Sequence, residues 1–449
     1  MTSQQPRADE PRGFSEFHRI LAACVATRIV VDTSIQLFYS FLQIISLGMG
    51  LNVVMLGRML SLRSAVGLSA PLFGNTADRY GYLRVMRVAL VLAAAGTFLL
   101  GSGGGFWTVA AGMVLSGVGL TGFIPTLLAY ISAQLPFAQR ARGIGILEYS
   151  WALAGIFGLS LMGLLFDHFS WRLPFFVLGA AMLGSWALLG LLPKAPRGVE
   201  VTAGADSEAG GPAEATAAGG EGGAGKAVGK GSIPSYTARI STIAPGAVRR
   251  VTDLFDLGWN WRSAYAVIGA NCLFLFSQGH VMIAHGVWLQ SEYGLTASGL
   301  GLAALAQGAA DLAGAVLVSL ITDRVGKKRS FQAGILGSTL FYGLLPVANI
   351  GLWPVMVMLV LLRFSYEYGL VSAIALISEQ APDRRGKLMS LTVAINLVGI
   401  TFTGFTGPWM YTRFGAWGLG PVAAGCTLAA FVLVTVWGRE SAGAAEGSG

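Results

Sequence analysis

Nine side chains able to carry a charge stand inside long apolar runs of this sequence: Arg28, Asp32, Arg63, Glu148, His280, His285, Asp311, Arg363 and Glu367. At membrane depth a charge costs roughly 2.5–3.5 kcal/mol on insertion scales, so residues of this kind point to function by default. Arg28 and Asp32, and again Arg363 and Glu367, are spaced i,i+4, which lets each pair neutralise itself on one helix face. A carboxylate so placed can exchange a proton or a counter-ion, because burial and a neighbouring guanidinium act on its protonation in opposite senses. Arg63 and Glu148 lie on different apolar segments and can pair across helices; Arg63 can equally hold an anion. Enzymatic chemistry is not indicated. Four scattered His residues and three Cys (Cys24, Cys272, Cys426) form no HExxH or CxxC arrangement, so neither a catalytic residue, a metal, a cofactor nor a disulfide framework is expected.

The elements that must position these groups follow from composition. Of 449 residues 54% are hydrophobic and only 12% charged, about half the charged share of a soluble domain. Sixty-three glycines fit helices that approach closely in lipid. Spans of about 20 apolar residues are expected near 20–46, 53–76, 84–102, 106–132, 142–166 and 173–192, then near 262–289, 296–321, 330–348, 352–378, 387–410 and 416–437. Of the 30 Lys and Arg, 24 fall in one alternate set of connecting segments, whereas the opposite set holds only Arg172 and Arg413. By the positive-inside rule both termini are cytoplasmic, in a multi-pass protein of the cell (plasma or inner) membrane. This placement also explains the net charge of +8 without a nucleic-acid partner. The polar first 19 residues read as a cytoplasmic tail and not as a cleavable leader.

Residues 193–261 divide an N-terminal bundle (20–192) from a C-terminal bundle (262–437), and 438–449 form a tail. Within the divide, 198–232 is Gly/Ala-rich and reads as a flexible linker. Val248, Val251, Leu254 and Phe255 then repeat at helical spacing beside Arg249 and Arg250, which fits either a short helix on the inner leaflet or an ordinary turn. The halves repeat: ADRYG at 77–81 returns as TDRVG at 322–326, and AYISAQLP at 129–136 returns as ALISEQAP at 375–382. Equivalent loops follow equivalent spans, so the repeats are parallel, related by an axis along the membrane normal.

With these motifs the chain resembles the major facilitator superfamily over nearly its whole length. The family's signature, in the loop after the second span, stands here as Gly74, Asp78, Arg79 and Gly81, then Arg84 and Arg87; its second copy is Asp323, Arg324 and Gly326 with Lys327, Lys328 and Arg329. Tyr82 and Leu83 replace the basic residues usual directly after the first copy, and Ser319 replaces the first Gly of the second. The resemblance implies an all-α integral membrane fold of twelve transmembrane helices in two pseudo-symmetric six-helix bundles. It further implies a central cavity lined by the first, fourth, seventh and tenth spans, and a gating latch in which Asp78 faces the start of the eleventh span near Arg385 and Gly386. An Arg in span four and a Gly-Pro pair in span five, common in proton-coupled and drug-exporting members respectively, are absent.

At the repeat offset, Asp32 maps to Gln278, Glu148 to Ala394, Arg363 to Gly117 and Glu367 to Thr121. The charges are not duplicated, which separates them from what the bundle architecture itself requires. Asp32 lies about 12 residues, roughly 18 Å of helix, from the start of its span, so with Glu367 it is expected near mid-depth, where transporter sites lie. Arg28 and Arg363 are expected as partners, His280 and Asp311 as further cavity residues, and His285 near the outer end. Phe38, Tyr39, Tyr149, Trp151, Phe364, Tyr366 and Tyr368 cluster nearby, in keeping with an organic solute that has apolar surface. The expected function is secondary active transport of a small organic solute by a monomer, coupled to H+. A gradient-independent uniporter, or a receptor or lipid-handling protein on the same scaffold, is the alternative.

Overall fold

A computed structural model of the chain describes residues 14–69, 76–77, 79–135, 137–193, 257–258, 260–381 and 384–440. The expected linker, the short helix near 248–255, Gly74, Asp78 and the Asp323 side chain lie outside the described residues. The first bundle contains α1 (Phe14–Gly48), α2 (Val53–Ala65), α3 (Tyr82–Ser102), α4 (Phe106–Gln134), α5 (Phe137–Leu153, continuing to His168) and α6 (Leu173–Gly190). The second contains α7 (Trp261–Tyr293), α8 (Ala297–Val325), α9 (Lys327–Ala348), α10 (Leu352–Ser378), α11 (Arg385–Phe414) and α12 (Ala416–Trp437). Eleven of these are long and apolar enough to cross a membrane. The remaining one, α2, passes into a 3-10 turn at Val66–Ser69 where its described residues stop.

Local chemistry sets the boundaries. Asn52 caps α2 by accepting a bond from the Met55 amide at 2.7 Å, and Thr296 caps α8 through the Gly299 amide at 3.2 Å. Gly294 ends α7 in the left-handed conformation at φ 65°. The repeat is equally visible in the backbone. Gly81 and Gly326, the last glycines of the two Asp-Arg-x-Gly copies, start α3 and α9 with φ of 94° and 93°, a conformation that glycine adopts without penalty. Gln134 donates its side-chain amide to the Pro193 carbonyl at 3.0 Å, and Gln380 to the Arg439 carbonyl at 2.8 Å. Donor and acceptor are both shifted by the same 246 residues. α3 packs along α4 and α6, as α9 packs along α10 and α12. The fold is thus all-α, two pseudo-symmetric six-helix bundles.

α5 departs from the expected straight span. Between Phe137–Leu153 and Ser160–His168 it runs as a π turn at Ala154–Leu159, a local widening often found at functional sites. α1 also bends, at Phe41 (φ −116°, ψ 22°).

The bundles meet through α1 with α7, α2 with α11 and α5 with α8. Many of these contacts lie at the end that carries the α1–α2 and α7–α8 connections. A Cβ on Gly286 of α7 would run into the Ser40 and Tyr39 carbonyls of α1. Ser291 donates to Gln43 at 2.8 Å, and Asp167, near the end of α5, accepts from the Ala297 and Ser298 amides at 2.9 and 2.7 Å. An acid of one bundle therefore caps the first turn of a helix of the other, where the helix dipole favours negative charge. Losing such a cap costs about 0.5–2 kcal/mol. In a background with Cys24, Cys272 and Cys426 replaced, Asp167→Ala is expected to raise the alkylation rate of a Ser291→Cys reporter by a membrane-impermeant maleimide several-fold. An unchanged rate would show that Asp167 does not hold this end shut.

Candidate functional site

Between the bundles, on the terminus side of these contacts, lies a cavity of about 270 Å³. Its walls come from α1 (Arg28, Gln36, Tyr39, Ser40), α5 (Glu148, Trp151, Leu159), α7 (Leu275, Gln278, Gly279, Met282), α8 (Ala304, Gln307, Gly308, Asp311), α10 (Arg363, Tyr366, Glu367, Leu370) and α11 (Ile400, Thr403). The expected α1, α7 and α10 walls are present. α4 supplies none of the lining described; α5, α8 and α11 stand there in addition. The reason lies in how α5 is tied to α1: Gln36 donates to the Trp151 carbonyl, just before the π turn, at 2.8 Å.

Arg28 makes the second tie. Its two terminal nitrogens bond both Glu148 oxygens at 3.0 Å each, a bidentate pair between α1 and α5. Its Nε also lies 3.5 Å from Asp32, the expected i,i+4 partner. Ser150 donates to the other side of this cluster, its hydroxyl 2.6 Å from Asp32 Oδ2. One guanidinium therefore serves two carboxylates. Asp32 is 1% exposed and sits behind Arg28, whereas the Glu148 side chain is 52% exposed. Glu148 is thus the solvent-facing member of the cluster.

The second cluster differs from expectation. Arg363 forms its ion pair with Asp311 of α8, not with Glu367 one turn along its own helix. The i,i+4 spacing brings Glu367 near, but α8 passes close enough at Gly314, which abuts Phe364 and Glu367, for Asp311 to take the guanidinium. Among the described residues Glu367 has no ion-pair partner, and it lines the cavity.

Two further expectations are corrected. Arg63 does not pair with Glu148; its guanidinium lies over the Phe38 ring, 4.9 Å from the centroid, beside a void of about 10 Å³ that the Ser34, Thr97 and Ser116 side chains help to line. Arg28 is simply the nearer cation for Glu148. His280 is not a lining residue. It is fully buried, with Nδ1 2.9 Å from the Thr406 hydroxyl and Nε2 3.2 Å from the Gly418 carbonyl, and so ties α7 to α11 and α12. His285 bonds the Met282 carbonyl of its own helix at 2.6 Å. Of the aromatic cluster, Tyr39, Trp151 and Tyr366 reach the cavity. In the signature loops Arg79 is exposed and lies over Tyr80 at 5.5 Å, and Arg324 is exposed. Lys327 pairs with Glu379.

Sequence reasoning passed over Ser150, Gln36 and Gln307. Gln307 stands four residues before Asp311, hence on the same helix face, and that spacing was the available signal. Both ends of its buried amide lack a hydrogen-bond partner among the described residues, as do Gln278 Nε2 and Asp311 Oδ1. Buried polar atoms in proteins are nearly always satisfied, which sets the residues around this cavity apart from the rest of the interior.

The comparisons with known proteins bear on the family and the fold. The profile of the Major Facilitator Superfamily matches residues 24–271 and again 266–448. The chain is similar to two Bacillus subtilis (strain 168) proteins, the uncharacterized MFS-type transporters YwfA (22% identity, 82% of this chain and 79% of the relative) and YceJ (25% identity, 79% and 80%). Among solved structures, a bacterial homolog of the human lysosomal transporter Spinster, in an inward-facing and occupied conformation, superposes with a TM-score of 0.66 at 14% identity, covering 95% of this chain and 97% of that one.

Breaking a buried ion pair by removing one partner costs about 3–5 kcal/mol, whereas replacing both members by apolar groups is often neutral. Arg363→Met is therefore expected to lower the thermal unfolding midpoint in detergent, and Arg363→Met with Asp311→Leu to recover most of it. Glu367→Gln should leave the midpoint nearly unchanged. A midpoint for the double variant as low as that of Arg363→Met would overturn the assigned pairing.

Proposed function

Because the chain belongs to the major facilitator superfamily, we propose that it is a secondary transporter that moves a small organic solute across the cell membrane by alternating access, coupled to protons, with both termini cytoplasmic. The observation that carries this reading is the cavity between the two bundles, lined by three carboxylates (Glu148, Asp311 and Glu367) and two guanidinium groups (Arg28 and Arg363), with Asp32 buried behind Arg28. In that orientation the end sealed by Asp167, Gly286 and Ser291 is the outer one, and the cavity faces the cytoplasm.

Coupling requires a carboxylate whose charge changes as the cavity alternates. Glu367 and the Asp32–Arg28–Glu148 cluster are the groups suited to it. Glu367 borders the cavity with no guanidinium of its own, so a proton can come and go without breaking an ion pair. Asp32 shares Arg28 with Glu148, so protonating either acid leaves the guanidinium to the other.

Purified protein in liposomes, screened against drugs, organic acids, sugars and amino acids with and without an imposed pH gradient, tests the proposal. The wild type is expected to accumulate or expel at least one solute in a gradient-dependent way. Glu367→Gln is expected to reduce gradient-driven transport at least tenfold, and Asp32→Asn to flatten its dependence on pH. Movement of no solute under any gradient would defeat the transporter reading. Transport with wild-type pH dependence in both variants would defeat only the coupling.

A further inference from the structure

We infer that the solute is an organic cation with an apolar body and an amide-like polar group, held by Glu367 as counter-ion and by Gln307 as the residue that reads the polar group. This assignment rests on the transport reading above and deepens it. Its basis is the unequal satisfaction of the polar groups around the cavity.

Charge comes first. Both lining guanidiniums are engaged: Arg28 holds Glu148 through two 3.0 Å bonds and also neighbours Asp32, and Arg363 holds Asp311. Glu367 lines the same space with no ion-pair partner among the described residues. Arg63, the other arginine of this region, is not part of the lining and lies over Phe38. An anionic solute would therefore meet an unbalanced carboxylate and two arginines already taken. A neutral solute would make no use of the charge Glu367 can offer, and a zwitterion would find no free cation for its acid end. Glu148, Asp311 and Glu367 line the cavity against Arg28 and Arg363, so one monovalent cation balances the charges of the lining. Tyr39, Trp151 and Tyr366 add aromatic surface, which attracts cations through the ring quadrupole.

Shape and hydrogen bonding narrow the class further. Gln307 is 3% exposed and lines the cavity, with both Oε1 and Nε2 buried and unpartnered among the described residues. Gln278 accepts from the Tyr342 hydroxyl at 2.9 Å while its Nε2 stays unpartnered. An unpartnered donor and acceptor on one primary amide match the donor and acceptor of another amide. Sites built to hydrogen-bond a solute group reject analogues lacking it more strongly than apolar pockets do, because their own polar groups are then left unpaired.

The test uses full-length protein in detergent and isothermal titration calorimetry with four probes: benzyltrimethylammonium, its para-carbamoyl derivative, neutral benzamide and the anion 4-carbamoylbenzoate. The carbamoyl cation is expected to bind tightest and the anion not to bind. Glu367→Gln should weaken both cations at least tenfold while leaving benzamide unchanged. Gln307→Leu should weaken the carbamoyl cation and spare benzyltrimethylammonium. Gln307→Glu, which adds a second unpaired carboxylate, should tighten benzyltrimethylammonium, a gain that misfolding cannot produce. Anion or benzamide affinity equal to that of the cations, or cation binding indifferent to Glu367→Gln, would overturn the assignment. If the liposome screen meanwhile shows gradient-driven movement of an anion or a neutral solute, the transporter reading stands and only the cation class falls.

Discussion

A charge removed from water must find a partner or be given up to a proton, and this constraint organises the molecule around its cavity. The desolvation of a guanidinium or a carboxylate inside the protein costs several kcal/mol even after relaxation, and is repaid only by close, hydrogen-bonded partners. Arg28 and Arg363 each find such partners on another helix of their own bundle: α5 for Arg28, α8 for Arg363. Each ion pair is therefore also a staple. It fixes which faces of α5 and α8 turn inward, and with them the positions of Trp151, Gln307 and the π turn.

The strong polar ties described lie within bundles, and the ties between bundles are of a different kind. Across the α1–α7, α2–α11 and α5–α8 seams the contacts described include close backbone approaches at glycine, hydroxyl bonds from Ser291 to Gln43 and from Ser160 to the Gly301 carbonyl, and a helix cap. Such contacts are individually worth about 0.5–2 kcal/mol and can be exchanged for water. Ion pairs buried within a bundle cannot. The ion pairs within each bundle are thus the stronger ties, and the contacts between bundles the more readily exchanged.

Much of this was legible in the sequence because it depends on periodicities the chain repeats. The bounds 352–378 and 416–437 stand as expected, and the glycines of the two Asp-Arg-x-Gly loops share one backbone conformation because each must turn the chain into the next helix. The pairing of charges was less legible. Spacing along one helix says which residues share a face, but not which face of a neighbouring helix arrives there. Arg363 had a candidate one turn away and took Asp311 across the α8–α10 contact instead. Glu148 had two candidate arginines, and the α1–α5 tie decided for Arg28. His280 looked like a cavity residue because α7 is a cavity helix, yet it stands on the face that bonds α11 and α12.

The asymmetry between the bundles connects these observations to transport. At the joint between second and fourth helices, the C-terminal bundle pairs Arg363 of α10 with Asp311 of α8. The N-terminal bundle has Gly117 at the position equivalent to Arg363, and there the glycine abuts Arg63 of α2. Both halves thus keep a cation at this joint, but only one supplies an acid for it; the other uses the Phe38 ring and nearby hydroxyls. The acid in excess appears elsewhere, at Glu367, on the wall of the cavity. On the cation reading, one carboxylate then has two possible occupants, a proton or the charged group of the solute. It cannot hold both. Competition for a single unpaired carboxylate is sufficient to couple the two flows in opposite directions, with no signal passed between separate sites.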